Sequence, residues 1–464
     1  MSKHINYDKR VPIEPDNVSI KRDDSKCILC GSCRSVCKFK QGVYSYYNLE
    51  NTNDQAICIN CGQCSNVCPT KAITEVYNYQ EVKEVLKDST KVVVFQTSPS
   101  VRIALGEEFG LDFGTFVEGK MVAALRKLGA KYVFDTTFGA DLTIMEEATE
   151  LVDRIVNKKT LPMFTSCCPA WISFVETFYP ELIPNLSTAK SPILMQGSII
   201  KTYFAKKEGI DPKSIINVSV TPCTAKKAEI KRVEMNNSGH YLEDTSITDM
   251  DYVITTRELA RWLKEENIDF NSLEESSYDA PLGKGTGAGV IFGNSGGVME
   301  AAVRYAYYLI TDKDVNDKLL NFEEIRGLEG IKEAEVKISN LKLKIAVVSG
   351  TNNARKLIER MKNENIHYDF IEVMACPGGC IAGGGQPTYD QVIADEVKNK
   401  RINSMYNDDN QSKLRNSYQN PDIVKIYNDF LGKANSRLAK ELLHTTYSDK
   451  SAILSKSINN NVKL

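Results

Sequence analysis

The sequence predicts two folded units: a small cysteine-dense α+β module, then a larger α/β domain with mostly parallel sheets. Three observations predict this. Eight of the thirteen cysteines fall between Cys27 and Cys68. From Lys91 onward, short β-rich runs alternate with stretches of helical periodicity, the pattern of strand–helix units with parallel strands. With 464 residues, 42% of them hydrophobic, the chain is too long for one simple domain and can bury large cores.

Residues 1–26 read as a polar lead-in and 27–78 as the cysteine-dense module. A charged connector with helical spacing runs to Thr90. The α/β domain is expected over 91–390. Its strands are Lys91–Gln96, Lys131–Asp135, Leu161–Phe164, Ile215–Thr221, Leu341–Val348 and Phe370–Met374. Its helices are Phe116–Leu128, a strongly amphipathic Asp141–Val156, and Val298–Ile310 after a double glycine. Residues 391–447 read as a helical wrap, most polar from Asn407 to Asn420. The tail 448–464 has disordered-looking composition that begins at Thr445. Gly283–Gly289 is rich in glycine but lacks the G-x-x-x-x-G-K-S/T order of a phosphate loop, so it reads as a flexible loop. Met145, Met195 and Met299 read as core residues.

A net charge of −2 gives no case for nucleic-acid binding. No apolar run approaches the roughly 18 residues of a membrane span. The N-terminus lacks the apolar core of a signal peptide. The expectation is a cytoplasmic protein, and there C-x-x-C spacings point to metal and not to disulfides. Only four histidines are present, none near a cysteine cluster, so thiolates must carry any metal centre.

Cys27-x-x-Cys30-x-x-Cys33-x-x-x-Cys37 and Cys58-x-x-Cys61-x-x-Cys64-x-x-x-Cys68-Pro69 are two copies of the bacterial two-cluster ferredoxin run. Three close thiolates wrap one corner of a cubane, and the fourth cysteine of each run reaches the other cluster. One 4Fe–4S cluster is therefore assigned Cys27, Cys30, Cys33 and Cys68, the other Cys58, Cys61, Cys64 and Cys37. A pair of zinc knuckles would need two ligands after a longer gap. The first copy has Lys38 where the second has Pro69. Two such clusters form an electron wire.

The five remaining cysteines lie in three loops, each following a predicted strand. They are Thr165-Ser-Cys167-Cys168-Pro-Ala-Trp171, Thr221-Pro-Cys223-Thr-Ala-Lys226-Lys-Ala-Glu229, and Glu372-Val-Met374-Ala-Cys376-Pro-Gly-Gly-Cys380 running into Gly383-Gly-Gly-Gln-Pro387. Strand carboxyl ends are where α/β folds bind ligands. Four thiols from distant segments can hold one cubane, with one left over, and the glycines let backbone approach a bulky inorganic group.

These loops resemble the three signature motifs of the iron–iron (FeFe) hydrogenases, and the resemblance runs from about Cys27 to Tyr447, including Glu441-Leu-Leu-His444-Thr. It implies a ferredoxin-like N-terminal domain and a catalytic domain in two lobes around a buried cluster. It also implies an H-cluster: a 4Fe–4S cube bridged to a two-iron subsite carrying CO, cyanide and azadithiolate. Matched loop by loop, the cube's ligands are Cys168, Cys223, Cys376 and Cys380, with Cys380 as the bridge. Cys167 matches the cysteine that passes protons to the azadithiolate amine. Lys226 matches the lysine that hydrogen-bonds a cyanide. Ser98, Pro99, Ser100, Thr221, Phe292 and Met374 match residues around the two-iron subsite.

Glu147, Glu150 and Arg154 share one helix face, and a carboxylate chain leading to a thiol suits proton movement through a dry interior. The family's proton path resembles Arg154, Glu147, Ser187, Glu150, Cys167, in that order. Three positions depart from the family. Thr221 stands for methionine, Ile193 for glutamine and Ser98 for alanine, changes expected to retune hydrogen bonding and potential. The resemblance implies reversible 2H⁺ + 2e⁻ ⇌ H₂, ferredoxin or a similar soluble carrier as electron partner, and maturation proteins to build the two-iron subsite. The alternative is a hydrogen or redox sensor, or an iron–sulfur protein, on the same scaffold without high turnover.

Overall fold

The computed structural model describes residues 9–454. A two-stranded antiparallel pair, β1 (Ile20–Arg22) and β2 (Ile73–Glu75), closes the cysteine-dense module. β1 lies inside the stretch read as a polar lead-in, and Val11 and Ile20 join Cys33, Cys64 and Ile73 in one apolar cluster. The module is not a loose appendage. Its Val43, Leu49, Ile57 and Ile59 share a core with Phe164, Trp171 and Phe174 of the larger domain.

The larger domain carries two four-stranded sheets. The first contains β3 (Val92–Thr97), β4 (Tyr132–Asp135), β6 (Ile215–Thr221) and β7 (Tyr252–Thr255), ordered β4-β3-β6-β7 and parallel throughout. The second contains β5 (Met163–Phe164), β8 (Ile331–Ile338), β9 (Leu341–Ser349) and β10 (Phe370–Met374), ordered β5-β10-β9-β8. Only β8 runs antiparallel to its neighbour. The parallel strands are buried runs of Val, Ile and Phe, as a sheet covered on both faces requires. β5 and β10 are neighbours with Phe370 opposite Met163, so the first and third cysteine loops leave one sheet side by side. The second cysteine loop leaves β6 of the other sheet, beside the Ser98–Ser100 loop that follows β3. Three thiol loops from two lobes therefore face one another.

The helix expected from Asp141 starts at Thr136, because the Asp135 side chain accepts from Thr137 N–H and caps it. It is buried on nearly every side rather than amphipathic, since it runs between the helices Pro192–Ile199 and Gly297–Thr311. A Cβ at Gly139 would stand 2.3 Å from Pro192 O, so glycine permits this close crossing.

The stretch Gly283–Gly289 is not a free loop. Thr286 is buried and donates to Asp141 through its N–H (2.8 Å) and hydroxyl (2.7 Å), and Gly285 and Gly289 lie against Thr137. The polar run at Asn407 ends the helix Ala394–Gln411, where buried Asp409 pairs with Arg304 at 2.9 Å. The chain beyond Thr445 is also packed. Thr445 N–H donates to Thr188 O, Tyr447 hydroxyl to Ser187 O, and Lys450 Nζ to Glu176. The rest of the expected tail, 455–464, lies outside the described residues. Met195 and Met299 are core residues, with Met145 packed against them.

Candidate active site

In the N-terminal module, burial pushes the Cys37 thiol up to about 12, with Cys58 beside it adding to the shift. Burial raises Cys61 and Cys64 further, and both have Cys37 and Cys58 as charged neighbours. Cys37 thus stands near Cys58, Cys61 and Cys64 of the other run, with Cys33 of its own run also beside it. Cys68 packs on the cluster containing Cys33. Cys27 is half-buried, whereas Cys30 is exposed, its thiol lowered by the Ser32 hydroxyl 3.4 Å away. One end of the module faces solvent and the other is deeply buried.

The buried end abuts the third loop. Gln63 Nε2 donates to Cys376 Sγ at 3.2 Å and to Ala382 O at 2.8 Å. Thr224 donates to Asn60 O, and Arg257 ties Ser65 and Glu75 of the module to Gly384 O. A Cβ at Gly384 would meet Cys61 O at 2.3 Å, so glycine is needed for this approach.

Burial raises Cys168, pushes Cys223 up to about 11, and holds Cys376 and Cys380 higher still, with Cys223 and Cys168 beside each of these last two. Four crowded, desolvated thiols would stay neutral unless a cation bound them, so this all-sulfur donor set suits an iron–sulfur cube.

A cavity of about 80 Å³ opens on Cys167, Cys168, Cys223 and Cys380. Ser98, Pro99, Ser100, Thr221, Phe292 and Met374 all line it, together with Ile193 and Lys226. Pro169, Pro222 and Gly293 of the quoted loops also line it, whereas its further walls, Thr136, Ala140 and Pro192, were not singled out from the sequence. Thr136 and Ala140 belong to the unforeseen first turns of the long helix. The walls are mostly apolar, which excludes water and strengthens any charge interaction inside.

Lys226 Nζ donates to Glu229 Oε2 at 2.8 Å and to Cys167 O at 3.1 Å. Burial works against its charge, but Glu229 and Cys223 hold it above the usual lysine range. Glu229, which also accepts from Ser191 at 3.0 Å, was missed, although its i+3 spacing from Lys226 pointed to it.

Arg154 grips Glu150 Oε1 (2.6 Å and 3.1 Å), and Ser187 Oγ donates to Glu150 Oε2 at 3.1 Å. Glu147 is fully buried, and its carboxyl makes no hydrogen bond of normal length among the described residues. Burial and then Glu150 push it up to about 8, offset in part by the Ser187 hydroxyl. Burial raises the Cys167 thiol too, with Glu147 the next cause. The two glutamates are therefore the reverse of the expected order: Arg154 meets Glu150, and Glu147 stands by Cys167. The reason is helical geometry, since Arg154 is one turn from Glu150 and two from Glu147.

The family model for the iron-only hydrogenase large subunit, C-terminal domain, matches residues 91–384. The chain belongs to the iron–iron hydrogenase family. The hydrogenase small-subunit model matches 395–450, and a 4Fe-4S dicluster domain matches 26–73. Iron hydrogenase 1 of Clostridium pasteurianum is 44% identical over 95% of this chain and 78% of its own length. The NADP-reducing hydrogenase subunit HndD of Solidesulfovibrio fructosivorans is 46% identical over 93% and 75%. A variant of apo FeFe-hydrogenase HydA1 from Chlamydomonas reinhardtii superimposes with a TM-score of 0.71 at 39% identity, covering 81% of this chain and 99% of that one. As an iron–iron hydrogenase the chain carries two 4Fe–4S clusters in its N-terminal module and an H-cluster in its catalytic domain. Among the described residues no helix is long and apolar enough to cross a membrane.

Proposed function

We propose that this hydrogenase interconverts protons and H₂ at the cavity lined by Cys167 and exchanges electrons with a soluble carrier such as ferredoxin through its N-terminal clusters. Cys27, Cys30, Cys33 and Cys68 would hold the outer cluster, and Cys37, Cys58, Cys61 and Cys64 the inner one. Cys168, Cys223, Cys376 and Cys380 would hold the cube of the H-cluster. The H-cluster, when bound, supplies the two-electron chemistry of hydrogen. Maturation proteins would deliver its two-iron subsite, and the unpaired state of all thirteen cysteines suits a reducing cytoplasm.

The observation that carries this reading is the surplus thiol. Cys167 lines the cavity beside three of the four candidate ligands and has the buried, proton-retaining Glu147 at its back. Proton passage would run Arg154–Glu150, Ser187, Glu147, Cys167. Arg154 stays charged and positions Glu150, Ser187 links the two carboxyls, and Cys167 gives or takes the proton at the cavity. Lys226, fixed by Glu229, presents a cation to anionic ligands. Thr221, Ile193 and Ser98 all line the cavity, where a hydroxyl for a thioether and an alkyl group for an amide would shift rate and bias.

Infrared spectra of the matured protein are expected to show CO and cyanide stretching bands, with about fourteen iron atoms per chain. Absence of the bands would end the hydrogenase reading. Gln63→Leu removes the amide hydrogen bond to Cys376 Sγ, and such bonds favour the more negative, reduced cluster. The active-site cube is expected to become harder to reduce, read as a lower midpoint potential in an infrared redox titration, with the inner cluster still assembled.

A further inference from the structure

Glu150 is reached by a second hydrogen-bonded line, which comes from the C-terminal segment. Its Oε2, the acceptor for Ser187, also accepts from Thr188 N–H at 3.0 Å and Thr188 Oγ1 at 3.2 Å. Thr188 Oγ1 lies 2.7 Å from His444 Nδ1, and His444 Nε2 lies 2.9 Å from Glu146 Oε2. Glu146 is fully buried and further held by the Tyr427 hydroxyl and by Asn435 N–H at 2.7 Å. Backbone pairing fixes the register: Ala189 bridges His444, Lys190 N–H donates to Leu443 O, and Thr445 N–H donates to Thr188 O. Glu150, Thr188, His444 and Glu146 are thus joined end to end by side chains brought from three parts of the chain.

The Arg154 end of the route has a chemical gap. A guanidinium does not release its proton in a protein, so Arg154 can position Glu150 but cannot reload it. Imidazole is the side chain whose ordinary ionisation lies near neutrality. His444 is buried, yet Thr188 between it and Glu150 is solvent-exposed.

We propose that His444 is a proton-positioning residue for the hydrogenase reaction, holding a proton beside Glu150 and exchanging it with that carboxylate through the Thr188 hydroxyl. In the loaded state both ring nitrogens are donors: Nε2–H to Glu146, which steadies the positive charge, and Nδ1–H to Thr188 Oγ1. Transfer breaks the Nδ1–H bond and forms a new Thr188 O–H bond, while the old Thr188 proton passes to Glu150 Oε2. The net change is imidazolium plus carboxylate to imidazole plus carboxylic acid, and a solvent proton restores the ring. The titratable and charged groups facing His444 are Glu146 and Glu150 from the long helix and Tyr427 through Glu146. On its own segment are Lys440 and Glu441, and beyond Asn237 stands the buried Lys190–Asp249 pair. This inference rests on the reading that Glu150 lies on the proton route.

The test compares the matured wild-type enzyme with His444→Gln and Thr188→Val. It measures the pH profile of H₂ evolution, the melting midpoint, and the carboxylic-acid region of infrared difference spectra. Both variants are expected to keep the CO and cyanide bands and the melting midpoint. Each should lose about tenfold in rate, below the usual contribution of a positioned proton donor, with the loss growing as pH rises and solvent protons become scarce. The Glu150 carboxyl band should shift in both. Unchanged profiles and bands would overturn the relay, as would a fall equal at every pH accompanied by a lower melting midpoint. An effect of His444→Gln without one of Thr188→Val would overturn the route through the hydroxyl. A matured wild type with no H₂ turnover would overturn the hydrogenase reading and the relay together, whereas the other outcomes act on the relay alone.

Discussion

Cys167→Ala is expected to leave the iron content and the CO and cyanide bands intact while lowering H₂ turnover by about 10²–10⁴-fold, the usual contribution of a positioned proton donor. The two halves of this result come from different observations. Retention of the metal follows from the ligand set. Cys168, Cys223, Cys376 and Cys380 crowd one another, while Cys167 faces the cavity with Lys226 donating to its backbone carbonyl, a bond that alanine preserves. Loss of turnover follows from the walls. Ala140, Pro169, Pro192, Ile193 and Phe292 carry no exchangeable side-chain proton, and Cys167 is the lining group with Glu147 beside it. If turnover survived with the bands intact, the proton would be entering elsewhere and the surplus thiol would be a bystander.

Much of this site was legible because its parts are local. A cysteine ligand reveals itself by spacing within a few residues, and a loop after a β-rich run falls at the carboxyl end of a strand whatever the sheet order. Ile215–Thr221 and Phe370–Met374 are found at their expected bounds for this reason. Properties set by contacts between distant segments were not legible. The long helix lost five residues at its start because Asp135 reads equally well as a strand end and as a cap. Its buried, nearly all-round surface depends on two helices that cross it later in the chain. β8 escaped notice because its Lys and Glu residues alternate with apolar ones on a half-exposed edge, where charge is an ordinary protection against pairing. The order of Glu147 and Glu150 could not be read from a shared helix face, which does not say which carboxylate meets the arginine. His444 lies 256 residues from Thr188, so no periodicity could have joined them.

The junction between the module and the catalytic domain shows the same division. The two cysteine runs announce a wire, but the wire is useful only if one end meets the active-site cube. That meeting is made by a glycine, Gly384, against Cys61 O, by Gln63 reaching Cys376, and by Arg257 clamping both sides. Cys30 at the other end is exposed, so the outer cluster proposed there would have an edge near solvent, open to the proposed carrier. Burial decides which end of the module meets the catalytic domain and which end faces solvent.

Glu147→Gln should separate function from stability more sharply than any other substitution. The carboxyl is fully buried, and desolvation followed by the Glu150 charge pushes it up to about 8 from 4.5. Below pH 4.5 the folded and unfolded chains both carry this proton, and the residue contributes most to folding. As pH rises from 4.5 to about 8 the unfolded chain releases the proton while the folded one keeps it, so stability falls across that window and levels off above it. The glutamine variant, which has no proton to lose, should therefore melt higher than wild type, with an advantage that grows from about pH 5 to about pH 8. Turnover should move the other way. A group that holds its proton up to about pH 8 can pass it to Cys167 at neutrality, whereas an amide of the same shape cannot, and a loss of about 10²-fold or more is expected at every pH. In the wild type, H₂ evolution should decline as pH climbs through about 8, because the carboxyl next to the thiol empties, and that decline should be absent from the residual activity of the variant. A variant that melted lower than wild type at neutral pH would mean that Glu147 is charged and paired in the fold. It would then serve as an anchor and not as the proton store the cavity needs.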